Sequence, residues 1–136
     1  MGLKIFVRKK PLRTTLTQTK SSEYLQYKEI ARKLVKGKAE RFSNICEVEY
    51  KRISIRNQKS KWGSCSSRGN LNFNYRIVFL PDHLADYLVV HELCHLKELN
   101  HSEKYWEHVR RILPDYKKHK KELKEVSKRI KAQART

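Results

Sequence analysis

Between Leu84 and Leu99 the sequence LADYLVVHELCHLKEL puts apolar residues on every side of a helical wheel, with Leu84, Leu88, Val89, Val90, Leu93, Cys94 and Leu96 leaving no polar face. A helix of this kind is stable only when other elements enclose it. The pattern therefore predicts a central buried helix from Pro81 and Asp82 to about Leu99. Proline is tolerated in a first turn, and an acid there meets the positive end of the helix dipole. A chain of 136 residues supplies one core and not two, so the segments on either side must form the enclosure.

Those segments are readable in turn. Residues 1–20 form a basic, Thr-rich stretch around Pro11 that suits an extended arm. From Ser21 or Ser22, either of which can cap a helix, Tyr24, Tyr27, Ala31, Leu34, Val35 and Phe42 recur at helical spacing, and the helix should close near residues 42–44. Residues 47–56 and 71–79 alternate as strands, the second through Leu71, Phe73, Tyr75, Ile77 and Phe79. The stretch between them holds Gly63, Gly69 and several Ser and Asn residues. It reads as a long loop that Trp62 keeps ordered. Ser102 should cap a short helix stopped by Pro114. A last, strongly basic helix follows, with Tyr116, Leu123, Val126 and Ile130 as its apolar stripe. No internal repeat is visible.

The central helix carries the chemistry. His91 and His95 are four residues apart, about 40° around a helix and about 6 Å along it, so both imidazoles reach one ion from one face. Glu92 lies beside that face, completing H-E-x-x-H, the pattern in which two neutral imidazoles hold zinc and the glutamate takes a proton from water. Burying an ionised glutamate and two imidazoles on an apolar helix would cost several kcal/mol without a partner, and a divalent cation is such a partner. Catalytic zinc ordinarily takes three protein ligands and keeps one open position.

His101 is the candidate for the third. On an unbroken helix it would sit about 100° off the histidine face and about 9 Å beyond His95, so the helix must end first. Asn100 offers the turn and Ser102 the restart. Glu103, Glu107, His108, Cys94 and Cys65 remain rival ligands. The expected chemistry is hydrolysis of a polypeptide, with one zinc ion per chain, Glu92 as general base, and residues 71–79 as the strand edge that would seat an extended substrate. Tyr75, Arg76, His83 and Tyr105 are candidates for stabilising an oxyanion.

Charge bears on partners. Thirty-two Lys and Arg residues against 14 acids give a formal +18, which draws the chain to polyanions and makes nucleic acid the leading macromolecular partner. Three cysteines in no paired spacing, and the absence of a leader, point to the reducing cytoplasm. The apolar run LADYLVV falls far short of the roughly 20 residues of a membrane span.

The segments KWGSCSSRGNLNFNYRIVFLP, VVHELCHLKELNHSEKYW and LPDYKKHKKEL together resemble the YgjP-like metallopeptidases, kin of the SprT-like and Spartan proteases, over about residues 50–123. The resemblance implies an α+β, minimal zincin-like domain: a small, mostly antiparallel sheet packed on a buried active-site helix, with flanking helices. It implies zinc ligands at His91, His95 and His101, with Glu92 as base. Tyr75 and Tyr105 stand where the family pattern has Trp and Phe, and the family's N-terminal β-rich region is not evident. The organisation expected is an arm over 1–20, a peptidase domain over 21–123 and a basic helical tail over 124–136. Spartan kinship suggests proteolysis at DNA. Two other readings make different predictions: a basic DNA- or RNA-binding module with a purely structural zinc, and a protease kept latent by its arm or tail.

Overall fold

The computed structural model describes residues 16–135. The first helix, α1 (Leu16–Cys46), starts earlier than its capping serines suggest. Nothing between Leu16 and Ser21 stops a helix once it is nucleated, so residues 16–20 are helical rather than part of an extended arm. The remainder of that arm, residues 1–15, lies outside the described residues. Ala31, Val35, Ala39, Phe42 and Cys46 form the buried stripe of α1, three or four residues apart. The helix closes at Glu47, which takes a left-handed φ of 58° while Val48 N donates to Ser43 O at 3.0 Å.

Three strands follow: β1 (Arg52–Arg56), β2 (Gly63–Cys65) and β3 (Asn70–Asn74), in the spatial order β1-β3-β2. β1 runs parallel to β3 and β2 antiparallel to it, so the sheet is mixed rather than mostly antiparallel. The reason is β2, which lies inside the stretch expected to be loop and folds back on β3 as a hairpin. Gly69 makes that turn with φ 92°, and its carbonyl accepts from Lys51 N at 2.7 Å.

The strand expected over 71–79 stops at Asn74. There the buried Asn74 side chain accepts from Arg76 N at 3.0 Å and donates to the carbonyls of Gln58 and Lys61, and a 3-10 helix (Tyr75–Phe79) takes over. Tyr75 and Ile77 are both fully buried in that turn, so the apolar alternation is real but does not mark a strand.

Helix α2 (Asp82–Cys94) packs against α1, β2, helix α3 (Glu103–Ile112) and helix α4 (Tyr116–Arg135), which is why it has no polar face. Lys38 on α1 reaches Asp82 at 2.7 Å and Asp86 at 2.6 Å. Burial works against this ammonium, yet the two carboxylates outweigh it and hold its pKa above the ordinary lysine value. Ser102 caps α3 by accepting from Tyr105 N at 3.3 Å. α4 runs unbroken across residue 123, with Leu123, Val126 and Ile130 packed on the core and Trp62 Nε1 donating to Ser127 Oγ at 2.7 Å. Among the described residues no helix is long and apolar enough to cross a membrane.

Candidate active site

Helix α2 ends at Cys94, several residues before Leu99, and His95 is its C-terminal cap. Tight turns carry the chain on: Leu96 N bonds Leu93 O and Lys97 N bonds Cys94 O, each at 3.0 Å. The break needed to bring His101 round is therefore present, but it opens at His95 rather than at Asn100. Asn100 shapes the far end of the turn, its Oδ1 accepting from Ser102 N at 3.2 Å.

The result is a convergence of three imidazoles. His101 Nε2 stands 3.1 Å from His95 Nε2 and 3.3 Å from His91 Nε2. His95 Nδ1 lies 3.0 Å from the Glu98 carbonyl, which can only accept, so in the neutral ring the Nε2 lone pair is the one aimed at the cluster. The His95 ring stacks on Tyr105, with centroids 4.4 Å apart, and His101 stacks on Trp106. Tyr105 Oη donates to the His91 carbonyl at 2.7 Å, pinning α3 to the end of α2. Burial, helped by His95 and His101, pushes the His91 pKa down to about 3, and burial also lowers that of His101. Both stay neutral at ordinary pH, which is the form that donates to a metal.

The rival ligands are placed elsewhere. Among the described residues neither Glu103, Glu107 nor His108 joins the cluster. Cys94 is buried against Cys46, and that contact together with burial keeps its thiol protonated. Burial, with Glu92 nearby, pushes Cys65 up to about 11.

Glu92 is only 4% exposed. Burial pushes its pKa up to about 8, with Lys61 opposing. Its carboxylate abuts β2 so closely that a Cβ on Gly63 would stand 3.0 Å from Glu92 Oε2 and 2.9 Å from Asn72 O. A cleft of about 380 Å³ opens here, floored by Tyr87, His91 and Glu92, with Lys61 to Gly63 on one side and Lys120 and Leu123 of α4 on the other. The strand edge beside it is β2. β3, the edge expected from the sequence, is the central strand.

The four candidate oxyanion groups all have other partners: Tyr75 bonds Glu23, Arg76 bonds the Gln58 carbonyl, His83 meets Glu122, and Tyr105 holds His91 O. Sequence reasoning missed Lys120, because a cleft-facing lysine looks like any other in so basic a helix.

The sequence signature of the YgjP-like metallopeptidase domain matches residues 7–126. The chain belongs to the YgjP-like metallopeptidase family. Membership makes it a peptidase acting on polypeptides and implies a metal. Among solved structures, this YgjP-like chain is similar to the crystal structure of the metallopeptidase zymogen of Pyrococcus abyssi abylysin. The TM-score is 0.61 at 23% identity, over 65% of this chain and 90% of that one, a likeness of fold. No curated protein matches the chain. The donor set fits the implied metal: three imidazoles, each offering a ring nitrogen within 4.8 Å of the others, suit a borderline-soft divalent ion.

Proposed function

We propose that the chain is a zinc-dependent peptidase in which His91, His95 and His101 hold one zinc ion per chain and Glu92 is the general base. The observation that carries this reading is the meeting of three imidazole Nε2 atoms at a helix break, with a buried glutamate beside them on the floor of an open cleft. A bound zinc supplies Lewis acidity to the scissile carbonyl and makes a water acidic enough to react at neutral pH.

The protein does the rest. Glu92, one residue from His91, accepts the proton at its carboxylate and returns it to the leaving amine. Its burial keeps the carboxylate from bulk water, and Gly63 leaves it the room it needs. The free edge of β2 offers main-chain partners to an extended peptide, which favours broad sequence tolerance. Trp62, Tyr87 and Leu88 give that peptide apolar walls.

Metal analysis with proteolysis tests the assignment. Purified protein should hold about one tightly bound zinc per chain and cut an unfolded protein, and Glu92→Gln should keep the zinc and lose about 10²- to 10⁴-fold in cleavage rate. Undiminished cleavage by Glu92→Gln would overturn the assigned base. A zinc-bearing wild type that cuts nothing would instead favour the structural-zinc module.

The formal charge of +18, with Lys117, Lys118, Lys121, Lys124 and Lys128 exposed along α4, supports a second reading: the peptidase acts where polypeptides meet nucleic acid, in the cytoplasm. DNA affinity should then fall steeply between low and physiological salt, and salt-independent affinity would remove this reading.

A further inference from the structure

A second set of metal donors lies beyond the first. His83, on the first turn of α2, meets His119 and Glu122, one turn apart on α4, with ligand atoms within 4.8 Å of one another. His83 Nε2 stands 2.9 Å from Glu122 Oε1, and the His83 and His119 ring centroids are 5.5 Å apart. His83, Tyr87 and His91 follow one another at four-residue intervals on one stripe of α2. The second set is therefore roughly 12 Å along the helix from His91, too far to share an ion with it. Tyr87 stands between the two sets, its ring touching both His91 and His119.

We propose that His83, His119 and Glu122 form a second divalent-cation site, for an ion of the zinc class, that ties α4 to α2. Two imidazoles and one carboxylate suit zinc and its transition-metal neighbours, whereas calcium and magnesium call for oxygen donors. A surface ion pair between His83 and Glu122 would need neither His119 nor its placement. The His119 ring makes no hydrogen bond among the described residues, which leaves a nitrogen free to donate. His83 and Glu122 are 49% and 44% exposed, so water completes the coordination and the ion binds more weakly than in the buried three-histidine set. Between His119 and Glu122 lies Lys120, and just after them Leu123, both on the cleft wall. An ion here fixes that wall against the floor formed by α2.

The test is a zinc titration of untagged, metal-stripped full-length protein, read by equilibrium dialysis and by thermal melting. Wild type should take up two ions, one tight and one weaker, with melting temperature rising again as the second binds. His119→Ala should keep the tight ion and weaken the second roughly tenfold or more, with Glu122→Gln acting in the same direction. Absence of the weaker ion from wild type, or a weaker ion held equally well by His119→Ala, would overturn the proposal. The tight ion is read as a separate step, so its loss would count against the three-histidine assignment and leave this one standing.

Discussion

The two histidine sets occupy opposite ends of one helix, and their surroundings differ more than their residues. At the C-terminal end, His95 is 8% exposed, its Nδ1 is held by the Glu98 carbonyl and its ring rests on Tyr105, so its donor atom is aimed before any ion arrives. At the N-terminal end, His83 is half exposed and meets partners from another helix at a solvent-facing seam. Preorganisation, more than donor type, separates a site fit for chemistry from one fit for clamping: a buried, aimed donor loses little freedom on binding, and its dry setting strengthens each interaction.

The sharpest way to break that contrast is to remove the one exposed member of the buried set. His101 is delivered by a turn and is exposed, so His101→Ala should leave the metal-free fold within about 0.5 kcal/mol of wild type. It should nevertheless lower zinc affinity by roughly 10²-fold or more and take peptidase activity below detection. Activity retained in His101→Ala, measured with dialysed zinc, would show that the third ligand lies elsewhere.

A smaller effect is expected at Gly63. In Gly63→Ala the added methyl meets Asn72 O at 2.9 Å, backbone that cannot step aside, as well as the Glu92 carboxylate. The sheet and α2 must part slightly, which should cost about 1–3 kcal/mol in denaturant melts. Because the same methyl displaces Glu92, kcat should fall with little change in zinc content. Unchanged stability and kcat would show that the contact between β2 and α2 is looser than the geometry implies.

Much of this site is legible in the sequence. The all-round apolar pattern of α2 is a strong signal because only enclosure on every side makes such a helix stable in water, and H-E-x-x-H sets its own geometry on a helix. The need for a break before His101 follows from the same helical arithmetic. Its position does not, because Leu96 and Leu99 continue the apolar spacing and neither Gly nor Pro marks Cys94. The exit is held by contacts that no spacing pattern encodes, namely Tyr105 of α3 under His95 and the local Glu98 carbonyl at its Nδ1. β2 is invisible for a related reason: three residues, Gly63 to Cys65, show no periodicity, and their pairing is decided by β3. In the 3-10 helix, Tyr75 and Ile77 imitate a strand because a tight turn also buries alternate residues, and only the bonding of Asn74 shows the difference. The set at His83 joins residues far apart in the chain on helices whose relative placement no local pattern encodes.

The contrast can also be sharpened with pH, in metal-stripped protein. Folding raises the Glu92 pKa from 4.5 to about 8, so across that window the folded state keeps a proton that the unfolded state has released, and stability is lost as pH rises through it. Folding lowers the His91 pKa from 6.5 to about 3, so there the unfolded state holds the extra proton, and stability is lost as pH falls through that window. Between pH 4.5 and 6.5 the two slopes oppose each other, leaving these groups a nearly flat profile. From 6.5 to 8 only the Glu92 slope remains, at most about 1.4 kcal/mol per pH unit. Thermal melts should therefore show a decline above pH 6.5 that is absent in Glu92→Gln, which has no proton to lose. Zinc should also suppress the decline in wild type, since a cation on the neighbouring imidazoles favours the ionised carboxylate. Equal declines in wild type and Glu92→Gln would mean that water reaches the carboxylate and that the buried end of α2 is less distinct from the exposed end than its packing indicates.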